Sequence, residues 1–288
     1  MAVVDYKVAG SIEEAVGFLS NAKIPTRILA GGTDLIIQSK SQVNPIAVVD
    51  VKKIASMMGA VIDDSGLTLG PSMSCADFTH RADIEDLFPG LVESAYLIGS
   101  TQVQGRCSIG GNLCNSSPAA DTVPALIANG AQCVISGPGG ERTVPAEAFV
   151  TGVGQNCMQS NELLTAIKMP RPAAGTADAY LRFIPRTEMD IAVAGAGVSI
   201  TLDASGMCTA ARVSIGAVAV TALLVPAAAD ALIGSKLDET AIQAAADAAT
   251  AASKPITDRR GTVEYRRHVV GVLVKRAATI AAQRAKEK

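Results

Sequence analysis

The sequence contains no tryptophan, and aromatic residues make up only 3% of its 288 residues. Proteins bind single-stranded nucleic acid by stacking bases on aromatic side chains, and this chain has too few of them to form such a surface. Charged residues are also scarce, at 18%, and the net charge of −2 comes without a basic tract, which argues against binding to any nucleic acid. Because 49% of the residues are hydrophobic, we expect other subunits to cover part of the surface.

The sequence also lacks the motifs that indicate metal binding, a signal peptide or a membrane-spanning segment. The chain has two histidines, His80 and His268, and its six cysteines form no C-x-x-C pair. Metal ligands normally come in such closely spaced pairs, so we expect no metal on this chain. We find neither a signal peptide nor a membrane span, and therefore expect a cytoplasmic protein without disulfides.

The first 55 residues have the pattern of a small parallel α/β unit. Ser11 and Glu14 form a capping box ahead of a predicted helix. An apolar strand over residues 26–30 leads through a Gly-Gly pair into a second helix, and residues 46–51 suit a strand buried on both faces. This order of elements is typical of a parallel sheet.

Two regions with other patterns of predicted secondary structure follow. Residues 56–173 combine two predicted β-hairpins with helices over 75–87 and 90–98. Residues 174–288 begin with antiparallel strands and continue as alanine-rich helices that are interrupted at Pro255. The fold class predicted from these patterns is α+β, with a small α/β unit at the start.

Two Gly-Gly pairs are the strongest candidates for a binding site. The first lies in residues 30–35, between a predicted strand and a helix, and the second lies in residues 108–112. Paired glycines let backbone N–H groups approach a ligand, and consecutive N–H groups form a concave nest for anions. Two nests from two domains would hold one pyrophosphate from both sides, whereas an isolated pair would be only a tight turn.

The residues after the second pair are unusually polar for so apolar a chain. Among them, Asn112, Asn115 and Asp121 offer many hydrogen-bond donors and acceptors. Such a segment is stable only when it is exposed or when a polyhydroxylated ligand satisfies it. A dinucleotide with a sugar-alcohol linker fits that description. Asp121 would then accept hydrogen bonds from its hydroxyl groups, or would instead cap the helix that follows.

Other motifs for nucleotides or catalysis are absent or weak. The sequence has no G-x-S-x-G nucleophile elbow and no P-loop. Gly195-Ala196-Gly197 begins like a dinucleotide-binding fingerprint, but it runs into an apolar strand. We therefore interpret this motif as sheet packing.

Four segments together resemble the FAD-binding middle subunit of the molybdenum-containing hydroxylases, the type found in xanthine dehydrogenase and carbon monoxide dehydrogenase. They are AGGTDL at 30–35, SIGGNLCNSSPAADTVPAL at 108–126, YLRFIPRTEMDIAVAGAGV at 180–198, and DRRGTVEYRRHVVGVLVKRA at 258–277. They occur in the order of the family and span nearly the whole chain. The resemblance implies a two-part FAD-binding domain, residues 1–55 and 56–173, followed by a C-terminal domain, residues 174–288.

The resemblance also implies where a non-covalently bound FAD contacts the chain. The two Gly-Gly segments would hold the pyrophosphate, Asp121 the ribityl region and Arg182 the polar edge of the flavin ring. Leu164 and Ile191 would pack on the ring, and Ile98 would lie near the adenine. The full set of candidate cofactor-binding residues is Leu29, Ala30, Gly31, Gly32, Thr33, Asp34, Leu35, Ile98, Thr101, Ser108, Ile109, Gly110, Gly111, Asn112, Asn115, Asp121, Leu164, Arg182 and Ile191.

The partners follow from the same resemblance. A large subunit would carry the molybdenum cofactor and a small subunit the [2Fe-2S] clusters, in a dimer of heterotrimers. Electrons would pass from the clusters to the flavin and then to an external acceptor, so no residue of this chain needs to act as an acid or base. Two alternatives stay open: a stand-alone flavoenzyme, for which Ser117 or Glu188 would have to donate a proton, and a non-catalytic scaffold.

Overall fold

The computed structural model describes residues 3–288, which form three larger sheets and one two-stranded sheet, with helices packed around them. The first sheet is parallel, in the order β1-β3-β2, as the α/β pattern predicts. Its elements are β1 (Val3–Val8), α1 (Ile12–Ser20), β2 (Thr26–Leu29), α2 (Leu35–Ser41) and β3 (Ile46–Asp50).

Local sequence signals explain this first unit. All five residues of β3 are buried, which confirms the predicted strand with two covered faces. The capping box at the start of α1 is also confirmed. The Ser11 hydroxyl accepts from the Glu14 N–H at 3.2 Å, and the Glu14 carboxylate accepts from the Gly10 N–H at 2.7 Å.

The second sheet is antiparallel and has the order β4-β5-β10-β6-β7. Both predicted hairpins are present in it, as β4-β5 and β6-β7. The strands of this region are β4 (Ala60–Asp63), β5 (Gly66–Leu69), β6 (Gln132–Gly137), β7 (Gly140–Pro145), β8 (Val150–Gly152), β9 (Gln155–Asn156) and β10 (Leu163–Pro170).

Short helices cover this sheet, and here two predictions were wrong. They are α3 (Cys75–Thr79), α4 (Ala82–Leu87), α5 (Pro89–Tyr96), α6 (Thr101–Gln104), α7 (Ile109–Asn115), α8 (Thr122–Ala128) and α9 (Ala146–Phe149). The helix predicted over 75–87 is divided because Arg81 is extended and its guanidinium binds Asp83 and the Ala60 carbonyl. The second Gly-Gly pair lies in the first turn of α7 instead of a tight turn.

The third sheet is an antiparallel meander in the order β11-β12-β13-β14, with alanine-rich helices packed against it. Its elements are β11 (Thr176–Phe183), β12 (Ala194–Leu202), β13 (Cys208–Gly216), β14 (Leu223–Leu224), α10 (Pro226–Leu232), α11 (Glu239–Ala252) and α12 (Val263–Lys286). The interruption between α11 and α12 lies around Pro255, as predicted. No helix within residues 3–288 has the length and apolar character that crossing a membrane requires.

Helix α8 of the second region packs directly on this third sheet. A Cβ at Gly197 would lie 2.6 Å from the Pro124 carbonyl oxygen, and one at Gly216 would lie 2.7 Å from Pro124 Cγ. Since any side chain at these two positions would overlap the helix, the two glycines form a groove that receives it. This contact confirms that the Gly195-Ala196-Gly197 motif serves sheet packing.

Candidate functional site

The first Gly-Gly segment lies against the residues that precede the second one. A Cβ at Gly31 would stand 1.7 Å from the Arg106 carbonyl oxygen and 3.0 Å from Cys107 Cα. No side chain fits there, so only glycine permits this backbone contact. The structure thereby brings together the two segments that the sequence marks as candidates, one from each of the first two regions.

The first segment presents a row of free backbone donors. Gly32 has a φ of +78°, in the left-handed region, and its carbonyl accepts from the Ile36 N–H at the start of α2. Within residues 3–288, the N–H groups of Gly31, Gly32, Thr33 and Asp34 donate to no protein acceptor. Four consecutive free donors on one turn have the character of an anion-binding nest. Burial raises the pKa of the nearby Asp34 carboxyl.

The second segment differs from the predicted nest because Ser108 caps a helix there. The Ser108 hydroxyl accepts from the Gly111 N–H at 3.0 Å, and the Ser108 carbonyl accepts from the Asn112 N–H at 2.9 Å. The Gly110 N–H donates to the Pro71 carbonyl at 3.1 Å. The expectation of several free N–H groups at this pair was therefore wrong.

The two glycines of the second segment have unequal surroundings. A Cβ at Gly110 would lie 2.3 Å from Pro71 Cβ, so this glycine is required for packing. A Cβ at Gly111 would meet only the Ser108 hydroxyl oxygen, at 3.0 Å. The backbone of Gly111 is therefore approachable, whereas that of Gly110 is covered by the protein itself.

The asparagines of the polar stretch bind neighbouring elements. Asn112 Oδ1 accepts from the Thr122 hydroxyl at 2.7 Å and from the Thr122 N–H at 3.2 Å, and so caps the start of α8. Asn115 Oδ1 accepts from Gln38 Nε2 at 3.0 Å, which links α7 to α2 of the first unit. Part of the polarity that the sequence suggested for a ligand is thus used to hold three helices together.

Asp121 makes its strongest contacts with the C-terminal sheet. Although it directly precedes α8, its side chain does not cap that helix. Its carboxylate accepts from Arg182 Nη1 at 2.7 Å and from the Tyr180 hydroxyl at 3.1 Å. The Arg182 and Asp121 side chains are only 4% and 10% exposed. Burial raises the pKa of Asp121 to about 6, and Arg182 and Tyr180 offset part of this effect.

Tyr180 is the residue that sequence reasoning missed. Its hydroxyl and the Arg182 guanidinium reach the same carboxylate because residues two apart on a strand point to the same face. The YLRF motif at 180–183 carried this signal, but Asp121 is 59 positions away along the chain. Only the packing of α8 on the C-terminal sheet shows the connection.

The remaining candidate residues lie around these contacts. Leu164 is buried in the core that also contains α7, whereas Ile191 is 51% exposed. The loop before β12 returns to the residues after α5, where the Met189 N–H donates to the Gly99 carbonyl at 3.4 Å. Ile98 and Ile191 therefore lie on segments that touch. Contact of these residues and of Thr101 with a flavin stays a prediction.

The residues that are present fit an FAD molecule. The four free N–H groups at 31–34 suit a diphosphate, the open backbone of Gly111 allows a close approach, and Asp121 supplies a fixed hydroxyl acceptor. Two clefts, of about 290 and 210 Å³, are lined by other residues, beside β1 and at the β6-β7 hairpin. The candidate site is therefore identified by its donors and acceptors.

Comparisons with known proteins cover the chain from end to end. Residues 2–172 match the FAD binding domain in molybdopterin dehydrogenase, and residues 179–281 match the CO dehydrogenase flavoprotein C-terminal domain. The carbon monoxide dehydrogenase medium chain of Hydrogenophaga pseudoflava is 32% identical over 96% of both chains. The 6-hydroxypseudooxynicotine dehydrogenase complex subunit alpha of Paenarthrobacter nicotinovorans is 29% identical, over 98% of this chain and 95% of that one.

A solved structure agrees with these sequence matches. Carbon monoxide dehydrogenase from Hydrogenophaga pseudoflava, in a form that lacks the Mo-pyranopterin moiety of its cofactor, contains a chain that superposes with a TM-score of 0.92. The two chains are 34% identical, and 97% of each is covered. The α+β fold with an FAD-binding domain followed by a C-terminal domain is thereby confirmed. The chain belongs to the family of FAD-binding medium subunits of molybdenum hydroxylases.

Proposed function

We propose that the chain is the FAD-carrying electron-transfer subunit of a molybdenum hydroxylase complex. A small subunit with [2Fe-2S] clusters would deliver electrons, and an external acceptor such as NAD⁺, a quinone or oxygen would receive them. A large subunit with the molybdenum cofactor would hydroxylate the substrate, and two heterotrimers would pair. When bound, FAD supplies the redox chemistry, while this chain supplies binding, orientation and electrostatics.

The free N–H groups of residues 31–34 are the observation that carries this proposal. They lie at the contact of the two Gly-Gly segments, where Gly31 meets Arg106. Backbone donors compensate the charge of phosphates without any basic side chain, which agrees with a net charge of −2. A row of four donors suits the two phosphates of FAD better than the single phosphate of FMN.

The other residue roles are parts of the same proposal. Residues 30–35 and 108–112 would hold the pyrophosphate, and Asp121 would accept from the ribityl hydroxyls. Arg182 would lie near the polar edge of the flavin ring, and its guanidinium also donates to the Asp121 carboxylate. Leu164 and Ile191 would flank the flavin ring, Ile98 would lie near the adenine, and Thr101 would contact the cofactor.

Identification of the released flavin tests the cofactor part of the proposal. The purified chain should be yellow, and heating should release FAD that chromatography separates from FMN. Acid precipitation should leave the protein pellet colourless, because we expect no covalent bond to the flavin. Released FMN, or colour that stays with the acid-precipitated protein, would contradict the proposal.

Isolation of the native complex tests the partners. An affinity-tagged chain should co-purify with one larger and one smaller subunit, and molybdenum and iron should be present in the complex but absent from the isolated chain. Substrate should bleach the flavin only in the complex. Bleaching of the isolated chain would instead indicate a stand-alone flavoenzyme. Cell fractionation would test the cytoplasmic location that belongs to the same proposal.

A further inference from the structure

Strand β11 delivers two side chains to one buried carboxylate. Tyr180 is 2% exposed, and its hydroxyl donates to Asp121 Oδ1 at 3.1 Å. Arg182, two residues further along, donates to Asp121 Oδ2 at 2.7 Å. Gly195 pairs with Arg182 across the sheet, and a Cβ there would lie only 2.8 Å from the Tyr180 hydroxyl oxygen. The glycine therefore leaves the space in which this hydroxyl is held.

Burying the Asp121–Arg182 ion pair costs more free energy than a purely structural contact requires. Burial of an ion pair carries a large desolvation penalty, and Arg182 Nε is buried without a partner among the described residues. The charged or titratable groups that act on Asp121 are Arg182 and Tyr180, both from β11. Each carboxylate oxygen receives one of the two bonds, which leaves further acceptor positions on a side chain that is still 10% exposed.

We propose that Tyr180 is a positioning residue for the cofactor: together with Arg182 it keeps the Asp121 carboxylate charged and oriented to accept hydrogen bonds from the hydroxyl groups of bound FAD. This inference rests on the proposed FAD-binding function. Asp121 belongs to the FAD-binding domain, whereas Tyr180 and Arg182 belong to the C-terminal domain. Retention of the cofactor then depends on the docking of the two domains and on the ionisation of one carboxyl group.

The variant Tyr180→Phe removes one hydroxyl and keeps the ring that fills the core. Donation by this hydroxyl lowers the pKa of Asp121, so its loss raises that pKa and protonates the carboxyl at a higher pH. In the loaded full-length chain, we expect the pH of half-maximal flavin release to move upward by roughly one unit. At pH 8 the variant should retain FAD almost as well as the unmodified chain. Flavin fluorescence after ultrafiltration measures both quantities.

Tyr6→Phe is the matched control. The Tyr6 hydroxyl also donates to a carboxylate, that of Asp50, but in the first sheet, between β1 and the end of β3. This variant loses the same kind of hydrogen bond, so it should release flavin at the pH of the unmodified chain. An equal upward shift in both variants would overturn the inference, because the shift would then be general.

Gly195→Ala provides an independent second variant. Its methyl group would displace the Tyr180 hydroxyl without removing any titratable group, and the release curve should again move to higher pH. Release at the pH of the unmodified chain in Gly195→Ala, or an equal loss of flavin at every pH in Tyr180→Phe, would show that Tyr180 is merely structural. If the unmodified chain retains no FAD at any pH, the proposed function fails instead.

Discussion

The α-carbon of Gly31 and the carbonyl oxygen of Arg106 are in direct contact, so close that a Cβ on residue 31 would stand 1.7 Å from that oxygen. Gly111, in the neighbouring segment, has no such constraint, since a Cβ there would meet only the Ser108 hydroxyl. The packing requirement at Gly31 can therefore be tested separately from the ligand contact that we propose for Gly111.

Gly31→Ala should lose both stability and cofactor. The added methyl group overlaps a backbone carbonyl that cannot rotate away, and overpacking of this kind costs about 1–3 kcal/mol or more. We expect a lower midpoint of urea unfolding and a colourless protein. A variant with unchanged unfolding and full flavin content would show that the two segments are not in contact.

Gly111→Ala should retain its fold and bind FAD weakly. Residue 111 is helical, so alanine is tolerated and even adds up to about 1 kcal/mol of helix propensity, while its methyl group faces the space assigned to the phosphates. The matched control is Gly17→Ala in α1, another helical glycine with no atom near its added Cβ. Flavin absorbance per protein should fall in Gly111→Ala only. Both variants should have the melting temperature of the unmodified chain or a slightly higher one.

Asp121→Ala should destabilise the protein as well as release FAD. The structure shows no helix cap at this position but a buried acceptor for the Tyr180 hydroxyl and the Arg182 guanidinium, and truncation leaves both donors without a partner, at a cost of about 1–3 kcal/mol for each. Asn112→Ala, which removes the actual cap of α8, should cost only about 0.5–2 kcal/mol. Urea unfolding of the cofactor-free proteins measures both losses of stability. A larger loss in Asn112→Ala than in the Asp121 variant would contradict the ion pair between Asp121 and Arg182.

Mild acid should release FAD from a chain that is still folded. Burial raises the pKa of Asp121 from 3.8 to about 6, so the folded state binds this proton more readily than the unfolded state. The contribution of Asp121 to stability is then fully present below pH 3.8 and is lost as the pH rises through about 6. Flavin fluorescence should rise between pH 7 and 5 while circular dichroism stays constant. Coincident release and unfolding would contradict this assignment.

Stronger acid should unfold the chain for a different reason. Hydrogen bonds and ion pairs lower the pKa of several other carboxyls, including Asp50 and Glu162. Groups with a lowered pKa contribute stability above their unfolded pKa, near 4, and this contribution is lost as the pH falls through their folded pKa. We therefore expect cooperative loss of circular dichroism only below about pH 4, well separated from flavin release.

Local patterns predicted most of the architecture. The continuous apolar run of β3, the capping box at Ser11 and the two hairpin turns are signals within a few residues, and each has its expected structure. Helix α7 could not be predicted in this way, because glycine and asparagine favour turns in isolation. Its stability comes from distant groups, such as Pro71 and Gln38, whose positions no local pattern contains.

The candidate site was predictable to a similar degree. The two Gly-Gly segments were found because their composition is unusual, and the structure places them in contact. The number of free N–H groups at each segment depended on which backbone acceptors lie nearby, and only the first segment has the expected set. The Tyr180 contact depended on the docking of two domains, which sequence spacing does not encode.

The ion pair between Asp121 and Arg182 has a consequence for biosynthesis. A ribosome releases the FAD-binding domain before strand β11, and domains of a nascent chain generally fold in that order. During this interval the Asp121 carboxylate has neither of its two partners. If Asp121 holds the flavin as we propose, the emerging domain lacks a complete cofactor site, and stable flavin loading follows only after the C-terminal sheet has been translated and has packed against α8.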